Sequence, residues 1–297
     1  MPGLDDLKPF LVLGLALGGV FAMNGVGLVV LYRATGVLNL AYGAIATTGA
    51  LISWSLLGGV NQWIAYAACV AFGGAVTLAY GLVFGPPFAA RDPLVKATAT
   101  IGLLLILLGV MLWVWPPSTT RTYILPTRLH YYEIADVRVN WTQILGMIFP
   151  VVVTAGTAVF LRVTKVGTAM RALADDREIT AMLGVPVRRV EAAAWLGSGI
   201  VCGISGVLLG DLVGLDIVGV TFLIIPALAA ALIGRLHSLW VTLAAGFVIG
   251  IVQSCLTAFT RVHIGARPLA DYRTITPFVL AIVALLFFAR RRPLVRT

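Results

Sequence analysis

Apolar stretches about as long as a bilayer core is thick recur along this chain, and no other feature narrows its fold so far. They fall near 9–32, 37–57, 62–84, 95–115, 141–161, 192–210, 218–234, 239–258 and 274–289. Backbone amides surrounded by hydrocarbon find no water, so each segment must satisfy its own N–H and C=O groups, as a helix does. The ten-residue alternation of a membrane barrel strand is missing. The expected fold class is therefore all-α: a polytopic integral membrane helix bundle of eight to ten transmembrane helices, some discontinuous, in one domain over 1–297. Two segments are the doubtful crossings. The run 37–57 carries Asn39, Tyr42, Thr47, Thr48 and Ser53, and 218–234 is short and interrupted by Pro226.

Composition agrees with a chain that cannot clothe a water-facing surface. Hydrophobic residues make up 60% and charged residues 11%, against about 25% charged in soluble domains. The net charge of +9 (21 minus 12) is carried at loops and ends and forms no patch, so topology-setting charge near anionic lipid explains it and no nucleic acid is expected. Cys69, Cys202 and Cys255 lie in apolar runs without CxxC or Cys/His spacing and read as small buried residues. His130, His237 and His263 sit in loops without a partner at ligand spacing, so no metal or catalytic site is expected. The opening MPGLDDLKPF is acidic before its first span and lacks a small-residue cleavage site, as a retained first helix would.

Orientation follows from loop charge. Arg290, Arg291, Arg292 and Arg296 mark the C-terminal tail, and Arg162, Lys165, Arg171, Arg177, Arg188 and Arg189 mark the segment 162–191. Both belong in the cytoplasm. Four candidate spans separate them, an even number, so the two assignments agree. Counting back places 116–140, polar and aromatic, outside; it places the N-terminus outside if every segment crosses. Asp211 and Asp216 then flank a solvated outer turn, DLVGLD.

The charged segment 162–191 is also built to fold. Thr168 is the expected N-cap of a helix over Ala169–Leu183, and Gly184 and Pro186 stop it. The apolar residues do not form one stripe. Met170, Leu173 and Ala174 fall on one side, Ile179, Met182 and Leu183 largely on the other, with the phase break at Asp175-Asp176. Two short helices, or one sharply bent, fit this better than a membrane-surface rod. A few apolar anchors ringed by charge suit docking into a partner's groove.

The stretch GTAMRALADDREITAMLGVPVRRVEAAAWLGSGIVCGISGVLLG resembles the cytoplasmic loop and following helix of ABC-transporter permeases of the branched-chain amino acid uptake class. Residues 13–57, with Gly-Val-Leu-Asn-Leu-Ala, and ALAAALIGRLHSLWVTLAAGFVIG at 227–250 resemble two further motifs of that family, in its H-type rather than M-type form. The resemblance implies a permease of an importer in the bacterial plasma (inner) membrane. Its coupling helix would insert into a separate ATPase subunit through Gly167, Met170, Arg171, Leu173, Ala174, Asp175, Arg177, Ile179, Met182 and Gly184. It also implies a second permease, homologous or identical, and an extracytoplasmic substrate-binding protein. The pattern departs at three places: His then Gly-Glu is replaced by Tyr42-Gly43-Ala44, Gly-Gly by Gly234-Arg235, and Gly-Ala by Trp240-Val241.

The chain contains no GxxxxGK[ST], so it binds no ATP or other cofactor by that route and is read as a transport subunit, not an enzyme. Polar groups at membrane depth are expensive and often functional, which makes Asn39, Tyr42, Thr47 and Thr48 the substrate-pathway candidates; helix-to-helix hydrogen bonding is the structural alternative. Branched-chain or similar small amino acids are the expected cargo, with urea, short amides or another small polar solute as the alternative. An ion-coupled secondary transporter or channel would carry embedded charges, and the span interiors are nearly free of them.

Overall fold

In the computed structural model, which describes residues 4–88, 91–116, 121–134, 137–259, 263–264, 267–268 and 275–290, each of these apolar runs is helical. The chain runs through α1 (Leu4–Thr35), α2 (Tyr42–Leu56), α3 (Gln62–Phe88), α4 (Pro93–Val114) and α5 (Trp141–Val163). Two short helices follow, α6 (Lys165–Asp175) and α7 (Arg177–Met182). Then come α8 (Val187–Val213), α9 (Ile217–Phe222), α10 (Ile224–Ile233), α11 (Leu239–Ala258) and α12 (Thr276–Arg290). Six of the described helices, namely α1, α3, α4, α5, α8 and α11, are long and apolar enough to cross a membrane. The 15 residues of α2 reach only about 22 Å at 1.5 Å per residue, short of a core ~30 Å thick. The run 218–234 breaks at Leu223, and Pro226 falls in the first turn of α10, where its missing N–H sacrifices no helical bond.

α1 is the axis of the bundle and packs along α11, α5, α8 and α10. Its approach to α11 is backbone to backbone. A Cβ on Gly14 would stand 2.8 Å from the Ile251 Cα, and one on Gly18 2.8 Å from the Gly246 carbonyl oxygen. Lipid supplies no hydrophobic drive between helices, so close contact between small residues has to supply the dispersion. α3 and α8 meet in the same way through Gly73, Gly199 and Gly203. α2 is enclosed by α3, α4, α8 and α9. By contrast α4 presents Leu105 and Ile106, and α5 presents Val152 and Val159, to the outside. These exposed aliphatics form the face a multi-pass membrane protein turns to hydrocarbon.

The segment 116–140 contradicts the all-α expectation locally. β1 (Tyr131–Ile134) pairs antiparallel with β2 (Val137–Asn140), and Val137 and Val139 are buried while Arg138 is exposed. That short alternation is a strand signal masked by the surrounding proline and aromatic residues. A second, two-residue pair joins β3 (His263–Ile264) to β4 (Arg267–Pro268). Exposed Trp63, Trp113, Tyr131, Tyr132 and Trp141 gather at this end of the bundle, as an interfacial aromatic belt does.

Of the two residues expected in a solvated turn, Asp216 is exposed and Asp211 is not. Asp211 is buried, its Oδ1 accepting from the Leu125 N–H at 2.9 Å with Arg128 Nη1 3.9 Å away. It fastens the segment after α4 to the end of α8. Asp216 caps α9, Oδ2 accepting from the Gly219 N–H at 2.7 Å. Since α5 and α8 each run from this end to α6 and α7, the segments 116–140 and 162–191 lie at opposite ends of the bundle. Arg291, Arg292 and Arg296, which carry part of the orientation argument, lie outside the described residues.

Candidate functional site

The charged segment folds as two short helices, α6 and α7, joined to α5 and α8 by tight turns. Thr164 leaves α5 in an extended conformation, and its Oγ1 accepts from the Gly167 N–H at 2.9 Å. Thr164, not Thr168, is therefore the N-cap; Thr168 lies within α6 and its hydroxyl donates back to the Thr164 carbonyl at 3.0 Å. α6 doubles back so tightly that a Cβ on Gly167 would collide with the Phe160 carbonyl. Asp176 ends α6 and begins α7, Oδ1 accepting from the Ile179 N–H at 2.9 Å. This is the helix break that the apolar phase change at Asp175-Asp176 predicts. Beyond α7, Gly184 turns the chain at φ +81°, a left-handed value that glycine adopts without strain, and Pro186 caps α8.

The ten coupling candidates divide into three buried, four exposed and three intermediate residues. Gly167, Met170 and Leu173 are buried, with α6 seated against α1, α5 and α8. Asp175, Ile179, Met182 and Gly184 are exposed. Arg171 and Ala174 are intermediate, and Arg171 keeps its Nε buried without a hydrogen-bond partner. Arg177, also intermediate, forms an ion pair with Glu191 on α8. Ile179 is 53% exposed, and Met182 and its neighbour Leu183 are each 78% exposed. Three large apolar side chains at the tip of an exposed turn have little intramolecular use, and patches of this kind mark contact with another protein.

The pathway candidates occupy one place in the fold, the lead-in to α2 and its first two turns. All four are buried. Asn39 Oδ1 accepts from the Ala41 N–H at 3.0 Å, whereas its Nδ2 has no partner. Thr47 and Thr48 donate to the carbonyls of Gly43 and Ala44 at 2.8 and 2.7 Å, the back-bonding that lets hydroxyls sit in a buried helix. The Tyr42 hydroxyl crosses to α8 and donates to the Ser198 carbonyl.

That tyrosine supports a cavity. A space of about 370 Å³ lies between α1, α5, α6 and α8, bounded in part by Val26, Gly27, Val30, Met170, Ser198 and Val201, and no charged residue lines it. The Tyr42 hydroxyl stands against two of these, Gly27 and Ser198. Asn39, Thr47 and Thr48 do not line it. Met170 belongs at once to α6 and to the cavity wall, so a displacement of α6 changes the shape of the cavity. Sequence reading passed over Asn24, a lone amide in the longest apolar helix; it is buried and its Oδ1 has no partner. It also passed over Arg33 and Lys96, and met Arg235 only as a departure from the family motif; the three converge near Arg177 from separate segments.

Comparison with known proteins is consistent along nearly the whole chain. A family model described as branched-chain amino acid transport system / permease component matches residues 10–288. The high-affinity branched-chain amino acid transport system permease protein BraD of Pseudomonas aeruginosa is 26% identical, covering 97% of this chain and 95% of its own length. The corresponding permease protein LivH of Escherichia coli is 24% identical over 92% of this chain and 91% of its own. A probable branched-chain amino acid permease of Methanocaldococcus jannaschii is 26% identical over 95% and 92%. Among solved structures, a chain of PsaBC from Streptococcus pneumoniae shares the fold with a TM-score of 0.50 at 17% identity, covering 94% of this chain and 91% of its own.

Proposed function

The chain belongs to the branched-chain amino acid transport system permease family, and we propose that it carries leucine, isoleucine, valine or similar small aliphatic amino acids inward across the plasma membrane. As a member it is a transport component and not a catalytic enzyme, and it works with ATPase partners. ATP is bound by the separate ATPase subunits, with α7 as the part that docks. One observation carries the mechanism: Met170 joins α6, the helix that leads into α7, to the wall of the uncharged cavity. Closure of the ATPases pulls on the α7 tip, α6 moves as a unit because its buried face is held, and the cavity is reshaped between two states. Such a step works only if cargo and nucleotide each favour one state over the other.

In this reading the α6–α7 end and the C-terminus face the cytoplasm, and 116–140 faces outward to receive a substrate-binding protein. Eight to ten crossings are made, with α2 and the α9–α10 pair as short elements inside the bundle. A second permease, a copy or a relative, completes the pathway. The aliphatic walls of the cavity suit a branched hydrocarbon side chain, and the unpartnered Asn24 Oδ1 and Asn39 Nδ2 are the polar atoms on offer elsewhere along the route. The test is ATP-dependent uptake into proteoliposomes containing the permeases, ATPases and binding protein. Uptake of leucine, isoleucine or valine is expected; uptake of urea or short amides with none of the three would overturn the cargo assignment.

A further inference from the structure

At the α6–α7 end a cavity of about 410 Å³ opens between the end of α1, the first turn of α4, the α6–α7 junction and the α10–α11 turn. Arg33, Lys96, Arg177 and Arg235 line it together with His237, and none of its lining residues is Asp or Glu. Glu191 pairs with Arg177 from the smaller neighbouring cavity. Four cations brought to one cavity from separate segments make it a place of positive potential, where an anion is favoured.

The backbone supplies a second, independent sign. Arg235 and Leu236 adopt φ of +56° and +53°, left-handed values that strain any residue with a Cβ. The turn is nonetheless fixed, with Arg235 N–H donating to the Leu232 carbonyl at 2.8 Å and Leu236 N–H to the Ala231 carbonyl at 2.9 Å. Arg33 Nη1 reaches the same turn, donating to the His237 carbonyl at 3.4 Å. A glycine at 235 would be relaxed; an arginine there adds a guanidinium to the cavity at the expense of strain. Strain of this kind persists where the surroundings over-determine it, and it clusters at ligand sites.

We propose that this cavity binds a phosphate-bearing anion, held by Arg33 and Arg235 from one side and by Lys96 and Arg177 from the other. The guanidinium fork matches phosphate oxygens in pairs, and basic pockets between membrane helices accept lipid headgroups. A phospholipid headgroup and a soluble phosphate ester present the same chemistry. The bound anion bridges the start of α7 to the α10–α11 turn. Its effect on coupling rests on the reading of α6 and α7 as the lever; its binding does not.

The experiment uses the full chain in phosphatidylcholine nanodiscs with glycerol 3-phosphate as soluble probe, and in nanodiscs doped with phosphatidylglycerol, read by ligand retention in native mass spectrometry. Binding of the soluble probe assigns the site to free phosphate esters, and retention of phosphatidylglycerol alone assigns it to lipid; either supports the site. Arg33→Ala and Arg235→Gly should each weaken binding about tenfold or more. Arg235→Gly removes the left-handed strain, so its loss of binding is not a loss of fold. Arg188→Ala, on the exposed surface of the same end, should leave binding unchanged. Failure of both probes to bind, or binding indifferent to Arg33→Ala and Arg235→Gly, would overturn the proposal. ATPase association, measured on the same samples, reports separately on the coupling reading.

Discussion

Replacing Ile179 and Met182 together by alanine should detach the permease from its ATPase without disturbing its fold. Full burial of an Ile or Met side chain is worth about 1.5–3 kcal/mol. Ile179 is 53% and Met182 78% exposed, so most of that gain remains available to a partner. Truncation to a methyl group should forfeit about 1–2 kcal/mol at each site, hence about 2–4 kcal/mol for the pair, or roughly 30- to 900-fold in Kd. Stability should change by no more than about 1 kcal/mol, because Met182 is largely exposed and Ile179 only half-covered in the isolated permease. The assay titrates ATPase subunits onto nanodisc-embedded permease and follows the thermal midpoint in parallel. Undiminished affinity in the double variant would refute the assignment of the α7 tip as the docking surface. A matching fall in the midpoint would refute the claim that the tip is unpartnered.

Substitutions at two further positions test the connections at either end of the bundle. Gly184→Pro forces φ to about −65° where the chain stands at +81°, so the link from α7 to α8 must reorganise; uptake should be lost while membrane insertion, read by protease protection, is kept. Asp211→Ala strips the buried Leu125 N–H of its acceptor at a cost of about 1–3 kcal/mol, whereas Asp211→Asn retains an acceptor oxygen. Limited proteolysis should therefore cut within 121–130 in the alanine variant and spare the asparagine one, and equal resistance in both would contradict the clasp.

Much of the fold was legible because it is written in local pattern. The apolar runs end within a few residues of the helices, and the break at Asp175-Asp176 could be read from the side on which Leu173 and Ile179 fall. What escaped depends on distant partners. Asp211 looks solvated in DLVGLD and is buried only because Leu125 and Arg128 come back over it. Thr164 outcompetes Thr168 as a cap because α5 ends in an extended residue that aims its hydroxyl at Gly167. The division of the coupling residues into buried, exposed and intermediate needs the positions of α1, α5 and α8. The basic cavity is the extreme case, drawing Arg33, Lys96, Arg177 and Arg235 from positions up to about two hundred residues apart, which no window of sequence contains.

The central claim is that α7 is the part of this permease gripped by an ATPase. The direct measurement places single cysteines at Met182 and at Thr168, which is exposed on α6, in a background lacking Cys69, Cys202 and Cys255, and cross-links each to the assembled ATPase. Met182→Cys should form a cross-link whose yield changes with nucleotide, and Thr168→Cys should form markedly less. No cross-link from Met182→Cys, with efficient cross-linking from a cysteine in the hairpin 131–140 instead, would contradict the account.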